Sequence, residues 1–582
     1  MKKLQNKWRI NLLQWAQQWL LTLALGVMVF LFWEYRYPFA LTYQEQFQMF
    51  LFDGDYFWER MAEPGGLARY IGEFLTQFYN SITIGATILA VLYILLQRLT
   101  WRLMNSRPVS PLVSVKYYYV LSFLSALIVW YAMGDESVML TYVVALLMAM
   151  AVALAWRNWS SEWAQWVKWV VAIVLIPVVY WLIGPLVLLV AVLMIPWTMA
   201  VAAVLYSLAL ILLSAHFVPF PMSRVFLGID YYRFPDTVPY MLMAIPVVIW
   251  IMALFVKKLP QPKQWVVYAQ ALILAVLILV PKEYGFDAKK YELMEYDYLV
   301  RVKDWNGIIA KAEKQTPDLP MSVNATNLAL GITNQLGERA FEFYQRGSEG
   351  LLPPFERNFS TTLLMGEVYF YLGLVNTAQR FAFESMEAIP NYNKSARAVK
   401  RLVETNLING QYEVARKYLQ LLEKTIFYRP WAKQMMAMLG DEKAINAHPL
   451  YGTLRLFRLQ EDFLFSDQEL DKMCGQLFMH NQKNRMAAQY LLMLPLLEKD
   501  IPRFMSYVKV VQNRIQYNPR YCQEAIAFAF MQKGQQPPQG FVNQLVLQQM
   551  SEFARTYSSG GKDAPGLEKF RNTLWYYLVN GQ

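Results

Sequence analysis

The sequence predicts an all-α chain: a polytopic transmembrane helical bundle of eight or nine spans over residues 1–281, then a soluble α-solenoid over residues 282–582. Three observations predict it. Apolar residues crowd into the first half. That half contains repeated apolar runs of about 20 residues, the length a helix needs to cross a bilayer core. The second half changes to apolar residues at helical spacing, with few stretches that alternate like strands.

The chain has 582 residues, enough for more than one folding unit. It is 56% hydrophobic and 17% charged, more apolar and less charged than an average soluble protein. Residues 1–281 carry 18 Lys/Arg and 12 Asp/Glu; residues 282–582 carry 36 and 31. The second half is too balanced in charge for a nucleic-acid footprint, so no nucleic-acid partner is expected. Two cysteines, Cys474 and Cys522, are too few for a disulfide framework; a single bridge and two buried free thiols both stay open. His216, His448 and His480 lie far apart without zinc-site spacing, and no phosphate-binding glycine loop occurs. No metal ligands and no cofactor site are therefore expected, although a divalent metal is not ruled out by the residues.

Lys2, Lys3, Lys7 and Arg9 precede an apolar run from Trp19 to Trp33, and no small-residue cleavage site follows. This reads as an uncleaved first span, near 14–33, with a cytoplasmic N-terminus. Further spans fall near 80–97, 117–133, 138–156, 164–183, 185–214, 238–256 and 264–281. The run 185–214 is too long for one simple span and is interrupted at Pro196. Positive residues arbitrate. Arg98, Arg102, Arg107 and Lys116 hold one loop inside, Arg157 another, and Lys257, Lys258 and Lys263 a third. That requires three crossings between 164 and 214, hence nine spans. The loop 215–237 then faces out with the loop 34–79, and the C-terminal half is extracytoplasmic. If 185–214 crosses once, the total is eight and the C-terminal half is cytoplasmic.

Seven of the twelve carboxylates of residues 1–281 sit just after the first span: Glu34, Glu45, Asp53, Asp55, Glu59, Glu63 and Glu73. Ionised groups are costly in hydrocarbon, so 34–79 is expected outside the bilayer. Residues 41–52 fit an amphipathic helix lying at the interface, and Asp53-Gly54-Asp55 a turn. A short helix reaches Glu63, Pro64-Gly65-Gly66 breaks it, and a further helix covers Leu67 to Tyr79.

In the soluble half, Gly366 and Tyr369 fall on a first helix, Leu372-Gly373 makes a turn, Ala378 and Ala382 fall on a second helix, and Pro390 ends it. The spacing from Gly366 to Pro390 is that of a tetratricopeptide repeat. A weaker copy has Leu402, the turn Asn409-Gly410-Gln411-Tyr412, then Ala415 and Leu419. Further hairpins are expected at 304–317, 327–347 and 485–518, loops at 535–540 and 558–561, and a last helix from about Leu567 to Val579. Such a tetratricopeptide-like array binds a protein or peptide partner along its concave face.

The first half resembles the GT-C class of integral-membrane glycosyltransferases, which take a sugar from a polyprenyl phosphate on the outer side of the membrane. The resemblance is one of layout: an acidic extracytoplasmic loop follows the first span, with Glu45 where the catalytic acid stands and Pro64-Gly65-Gly66 before the second span. It implies Glu45 as the catalytic carboxylate, with Asp53 and Asp55 as alternatives. It implies Arg60, Arg69, Arg224 or Arg233 on the lipid phosphate. Tyr43, Phe57 and Trp58 would stack on sugar faces. The whole chain also resembles an uncharacterised bacterial family of multi-pass inner-membrane proteins with a helical-repeat C-terminal domain. The rival expectation is a non-catalytic membrane-anchored scaffold whose repeat domain recruits an envelope partner.

Overall fold

A chain in hydrocarbon must satisfy its own backbone hydrogen bonds, and the apolar runs of the first half do so as helices. The computed structural model describes residues 2–106, 115–234, 239–256, 259, 263–279, 287–352, 356, 358–391, 393–459 and 469–580. Arg107, Asp236, Lys257, Lys258 and the expected boundary at 281/282 lie outside the described residues. Among the described residues, regular structure is helical apart from an isolated antiparallel bridge between Val138 and Tyr232. Two compact units form: Met1–Tyr291 with Pro390–Lys394, and Glu292–Ile389 with Ser395–Gln582.

Five helices of the first unit are long and apolar enough to cross a membrane: Ala16–Arg36, Ile82–Met104, Leu140–Trp159, Gln165–Val192 and Trp197–Ser214. Two shorter apolar helices, Tyr118–Met133 and Tyr240–Phe255, accompany them. Among the described residues, the expected eight or nine full spans are thus corrected to five helices of spanning length. The reason is clearest between 184 and 196. Gly184 (φ +73°) breaks the helix, and the next one, Val187–Val192, has six residues, about 9 Å against a ~30 Å core. The chain still doubles back there. Tyr206 donates to the Ile173 carbonyl at 3.5 Å, and the Tyr180 and Ser214 hydroxyls meet at 2.5 Å. Both residue pairs advance together, so Gln165–Ile183 and Trp197–Ser214 run parallel. The return between them is a short buried helix with irregular ends, not a spanning helix. Val187, Val190, Ala191 and Leu193 are at most 1% exposed.

The first spans are joined by polar rungs. The Thr22 hydroxyl donates to Gln97 Oε1 (3.0 Å), and Gln97 Nε2 donates to Ser122 Oγ (2.7 Å). The connecting segments 37–81, 134–139 and 228–234 meet at one end of the bundle. There the Arg233 amide donates to the Ser137 carbonyl (2.8 Å), and the Tyr232 hydroxyl to Asp135 (2.9 Å). Tyr291 stacks on Tyr37 at the same end, with centroids 5.0 Å apart, and Lys290 pairs with Glu136 at 3.1 Å.

The loop after the first span departs from the expected pattern. The helix expected over 41–52 is Pro38–Glu45, and residues 46–53 leave it. The Gln46, Phe47 and Gln48 amides make tightened i→i−3 bonds, and the Met49 amide turns to the Lys394 carbonyl (2.9 Å). A backbone donor bonded to a distant segment cannot continue a helix.

In the second unit, helices pack as sequence-adjacent hairpins: Phe359–Leu372 on Val375–Glu387, and Ala396–Asn409 on Tyr412–Glu423. Gly373 (φ +97°) and Gly410 (φ +77°) end the first helix of each pair, a conformation that favours glycine. Tyr369 stacks on Phe381 at 5.2 Å, and a Cβ on Gly366 would just touch that of Phe381 at 3.4 Å. The hairpin expected over 327–347 is absent. Helix Pro320–Ile332 is followed by the four-residue Leu336–Arg339 and a 3-10 turn, with Asn327 spent on Gln345 and the Gly350 carbonyl. Residues 558–560 close the helix Gln544–Gly560 rather than form a loop, and the last helix is Leu574–Asn580. Cys474 and Cys522 are both free and buried.

Candidate functional site

Arg69 and Glu73 are one turn apart on helix Gly66–Thr76, the spacing at which side chains meet on a helix. Arg69 Nε lies 3.0 Å from Glu73 Oε1, and Arg60 Nε, from helix Gly54–Met61, 2.8 Å from Oε2. Tyr56 adds a hydroxyl to Glu73 at 2.5 Å. Arg69 also pairs with Glu63 (2.8 Å) and with Asp230 (2.7 Å). Arg60, Arg69, Glu73 and Asp230 are all at most 5% exposed.

The segment Pro390–Lys394 completes this cluster. Arg69 donates to the Asn391 carbonyl (3.1 Å) and to Asn393 Oδ1 (3.2 Å). Asn391, at φ +60°, donates to Asp230 (3.0 Å) and to the Ile229 carbonyl (3.0 Å), and accepts from Arg224 (3.1 Å). Arg224 spends its other bonds on the Tyr232, Arg233 and Phe234 carbonyls. Sequence reasoning assigned Pro390 only the end of a repeat helix. Nothing in the stretch Pro390-Asn391-Tyr392-Asn393-Lys394 beyond two turn-forming asparagines signals a role in the cluster.

Glu63, Glu73 and Asp230, with the exposed Glu59 on Arg60 (3.0 Å), therefore share two guanidinia. Burial raises the Glu73 carboxyl, but Arg69, Arg60 and the Tyr56 hydroxyl outweigh it and hold Glu73 below the usual range. Burial pushes Asp230 and Glu63 up, and Arg69, already divided among three acids, only partly offsets it. A carboxyl held above its usual range is one that can carry and hand on a proton.

The other expected site residues lie elsewhere. Glu45 ends helix Pro38–Glu45, 6% exposed. Two residues on, the Phe47 ring lies beneath the Arg233 guanidinium at 3.5 Å and against the Tyr43 ring at 5.0 Å. Burial pushes Arg233 down to about 10, and among the described residues no carboxylate lies within ion-pair distance of it. Asp53 caps helix Gly54–Met61 and Asp55 sits exposed in its first turn. Trp58 is 69% exposed, and Phe57 packs on Tyr70 at 5.0 Å.

Pro64-Gly65-Gly66 fixes the loop against the bundle. The Gly65 amide donates to the Trp181 carbonyl (2.8 Å), and a Cβ on Gly66 would fall 2.2 Å from the Arg60 carbonyl oxygen. A Cβ on Gly72 would lie 2.8 Å from the Thr141 amide nitrogen and Cα. Those atoms are backbone and cannot rotate away. Gly72→Ala is expected to destabilise the membrane unit by roughly 1–3 kcal/mol. Gly54→Ala, with nothing within 4 Å, is the neutral control. Thermal unfolding of both variants in detergent checks this, and equal midpoints would refute the close packing.

Beside the cluster lies an apolar pocket of about 360 Å³, lined by Pro185, Leu189, Tyr231, Leu242, Val247 and Trp250 among others. Its wall includes the short return segment. Val247 is 50% and Met243 45% exposed on the outer side of helix Tyr240–Phe255, so the pocket opens through the bundle's apolar flank. A second void, of about 10 Å³, touches Arg69 and Asp230 and shares Pro185 and Tyr231 with the pocket. Among the described residues no group of three or more His, Cys, Asp or Glu could hold a metal ion.

No curated protein and no solved structure matches the sequence. A family model described as a family of unknown function, DUF6057, matches residues 13–581. Over nearly its whole length, the chain belongs to the DUF6057 family.

Proposed function

We propose that the protein is a membrane-embedded transferase that handles a long-chain lipid, in the GT-C layout: a glycosyltransferase drawing on a polyprenyl-phosphate-linked sugar at the outer face of the membrane. The observation that carries this reading is the apolar pocket, open to the lipid-facing flank and touching the buried acid–arginine cluster at Tyr231. A chain of isoprenoid or acyl character fits its lining, and a discontinuous return segment in its wall is the kind of element that forms midplane binding sites. Asp230, next to Tyr231, takes the acceptor proton, and Glu45 is the competing acid. Arg233 is the arginine for the lipid phosphate. The outer side is the expectation that the positive loops carry.

The test uses the full chain in nanodiscs with a photoreactive polyprenyl phosphate. Crosslinks are expected on residues 184–192 and 240–255, and Leu189→Trp with Val247→Trp should abolish them. Labelling that ignores these fillings would defeat the lipid-pocket reading. In a transfer assay, loss of about 100-fold or more in Asp230→Asn but not in Glu45→Gln assigns the base to Asp230, and the reverse assigns it to Glu45.

A second reading is favoured by the stacked hairpins of the second unit: a tetratricopeptide-like solenoid recruiting an envelope protein, with the membrane half as its anchor.

A further inference from the structure

The second unit holds a cluster of charge that is not balanced. Helix Ala396–Asn409 presents Arg397, Lys400, Arg401 and Glu404 toward helix Phe359–Leu372, which contributes Glu367. Arg401 pairs with Glu367 (2.6 Å) and Glu404 (2.8 Å), and Arg397 with Asp297 (2.7 Å). These ion pairs place the three acids on Arg397 and Arg401, while Glu404 also attracts Lys400 and Lys303 through space. Two cations of the same pocket, Lys303 and Lys400, have no carboxylate within ion-pair distance among the described residues. Lys303 sits at φ +61°, a conformation costly for a residue with a side chain, just beyond helix Ala288–Arg301. Lys400 lies half-buried with its ammonium 4.8 Å from the centre of the Trp431 ring.

Between them is a void of about 80 Å³, lined also by Thr362 and Ser385, whose hydroxyls bond to each other and to carbonyls of their own helices. It is too small for a sugar or a nucleotide, whose sites run to several hundred Å³. We propose that this pocket binds one oxyanion group, a phosphate or a carboxylate, held by Lys303 and Lys400 over the Arg397–Arg401 pair. Burial, with Lys303 and Arg401 nearby, holds the Lys400 ammonium below its usual range, the penalty an anion would remove. Lys303 is exposed and Lys400 half-buried, so the cost of the uncompensated charge falls on Lys400. A free phosphate and the terminal carboxylate of a peptide supply the same chemistry, and the experiment separates them.

The test uses the full chain in neutral phosphatidylcholine nanodiscs at constant ionic strength. Binding of inorganic phosphate, and separately of a short peptide ending in acidic residues, is followed by calorimetry and by thermal unfolding. Saturable binding of either is expected, with the tighter one naming the source. Lys303→Gln with Lys400→Gln should weaken it about tenfold or more. The unliganded double variant should unfold no earlier than the parent, because it removes repulsion, so lost binding cannot be lost folding. Absence of saturable binding by both probes, or binding unchanged in the double variant, would overturn the proposal.

Discussion

Glu73→Ala is expected to cost the membrane unit roughly 3–5 kcal/mol, enough to abolish a monodisperse preparation. Among the described residues, Glu73 is the only acid that Arg60 and Arg69 both reach through Nε, and it is 0% exposed. Its removal leaves two guanidinia and the Tyr56 hydroxyl facing a cavity, with Glu63 and Asp230 left to serve Arg69 alone. Breaking a buried pair from one side is far more damaging than never having built it. Glu73→Gln keeps the shape and should fall between parent and alanine. The pH response follows the direction of each shift. Glu73 is held below the range of the unfolded chain, so its contribution is present above the unfolded pKa and is lost as pH falls through the folded one. Asp230 and Glu63 are raised, so theirs is present at low pH and declines as pH rises through their folded values. Size-exclusion profiles and melting points of the parent and both variants, read from pH 4 to 8, would contradict this if Glu73→Ala matched the parent.

That cluster also marks how far the sequence could be read. The i,i+4 pair Arg69–Glu73 is legible from spacing, and so is the cap at Asp53. The unequal halves and the glycine-ended hairpins at Gly373 and Gly410 follow from composition and period. Asp230 and Asn391 are not legible, because nothing local links positions 161 and 322 residues from Arg69 to it. Charge parity asked for a third crossing between 164 and 214, and the six-residue helix Val187–Val192 is too short to be one. Parity could not say this, since it counts crossings and not lengths. The four arginines expected on a lipid phosphate were chosen by loop position alone. Burial then separated them: three carry acids, carbonyls or Asn391, while Arg233 rests on an aromatic ring.

Glu524 carries the other large expected effect. Its carboxylate is 0% exposed on helix Arg520–Gln532, accepting from Arg520 Nε (2.9 Å) and from the Leu574 amide (2.8 Å). Trp575 Nε1 donates to the Glu524 carbonyl (2.9 Å), so one residue ties the terminal helix Leu574–Asn580 to the core of Met550, Phe553 and Phe570. Burial pushes the carboxyl up to about 7, against the pull of Arg520 and the Leu574 amide. The folded pKa lies above the unfolded one, so the stabilisation is complete below about pH 4 and is lost as pH rises through 7. The shift corresponds to about 3 kcal/mol. His448, lowered by burial, acts in the opposite sense, favouring the fold as pH rises through the unfolded histidine value, so the two must be separated by variant rather than by pH alone. Glu524→Gln should flatten the loss of protection between pH 5 and 8 while keeping an acceptor for the Leu574 amide. Hydrogen exchange of residues 574–580 in the full chain reports it locally. An unchanged pH slope in the variant would mean that Arg520 holds Glu524 ionised throughout and that burial is not what governs the tail.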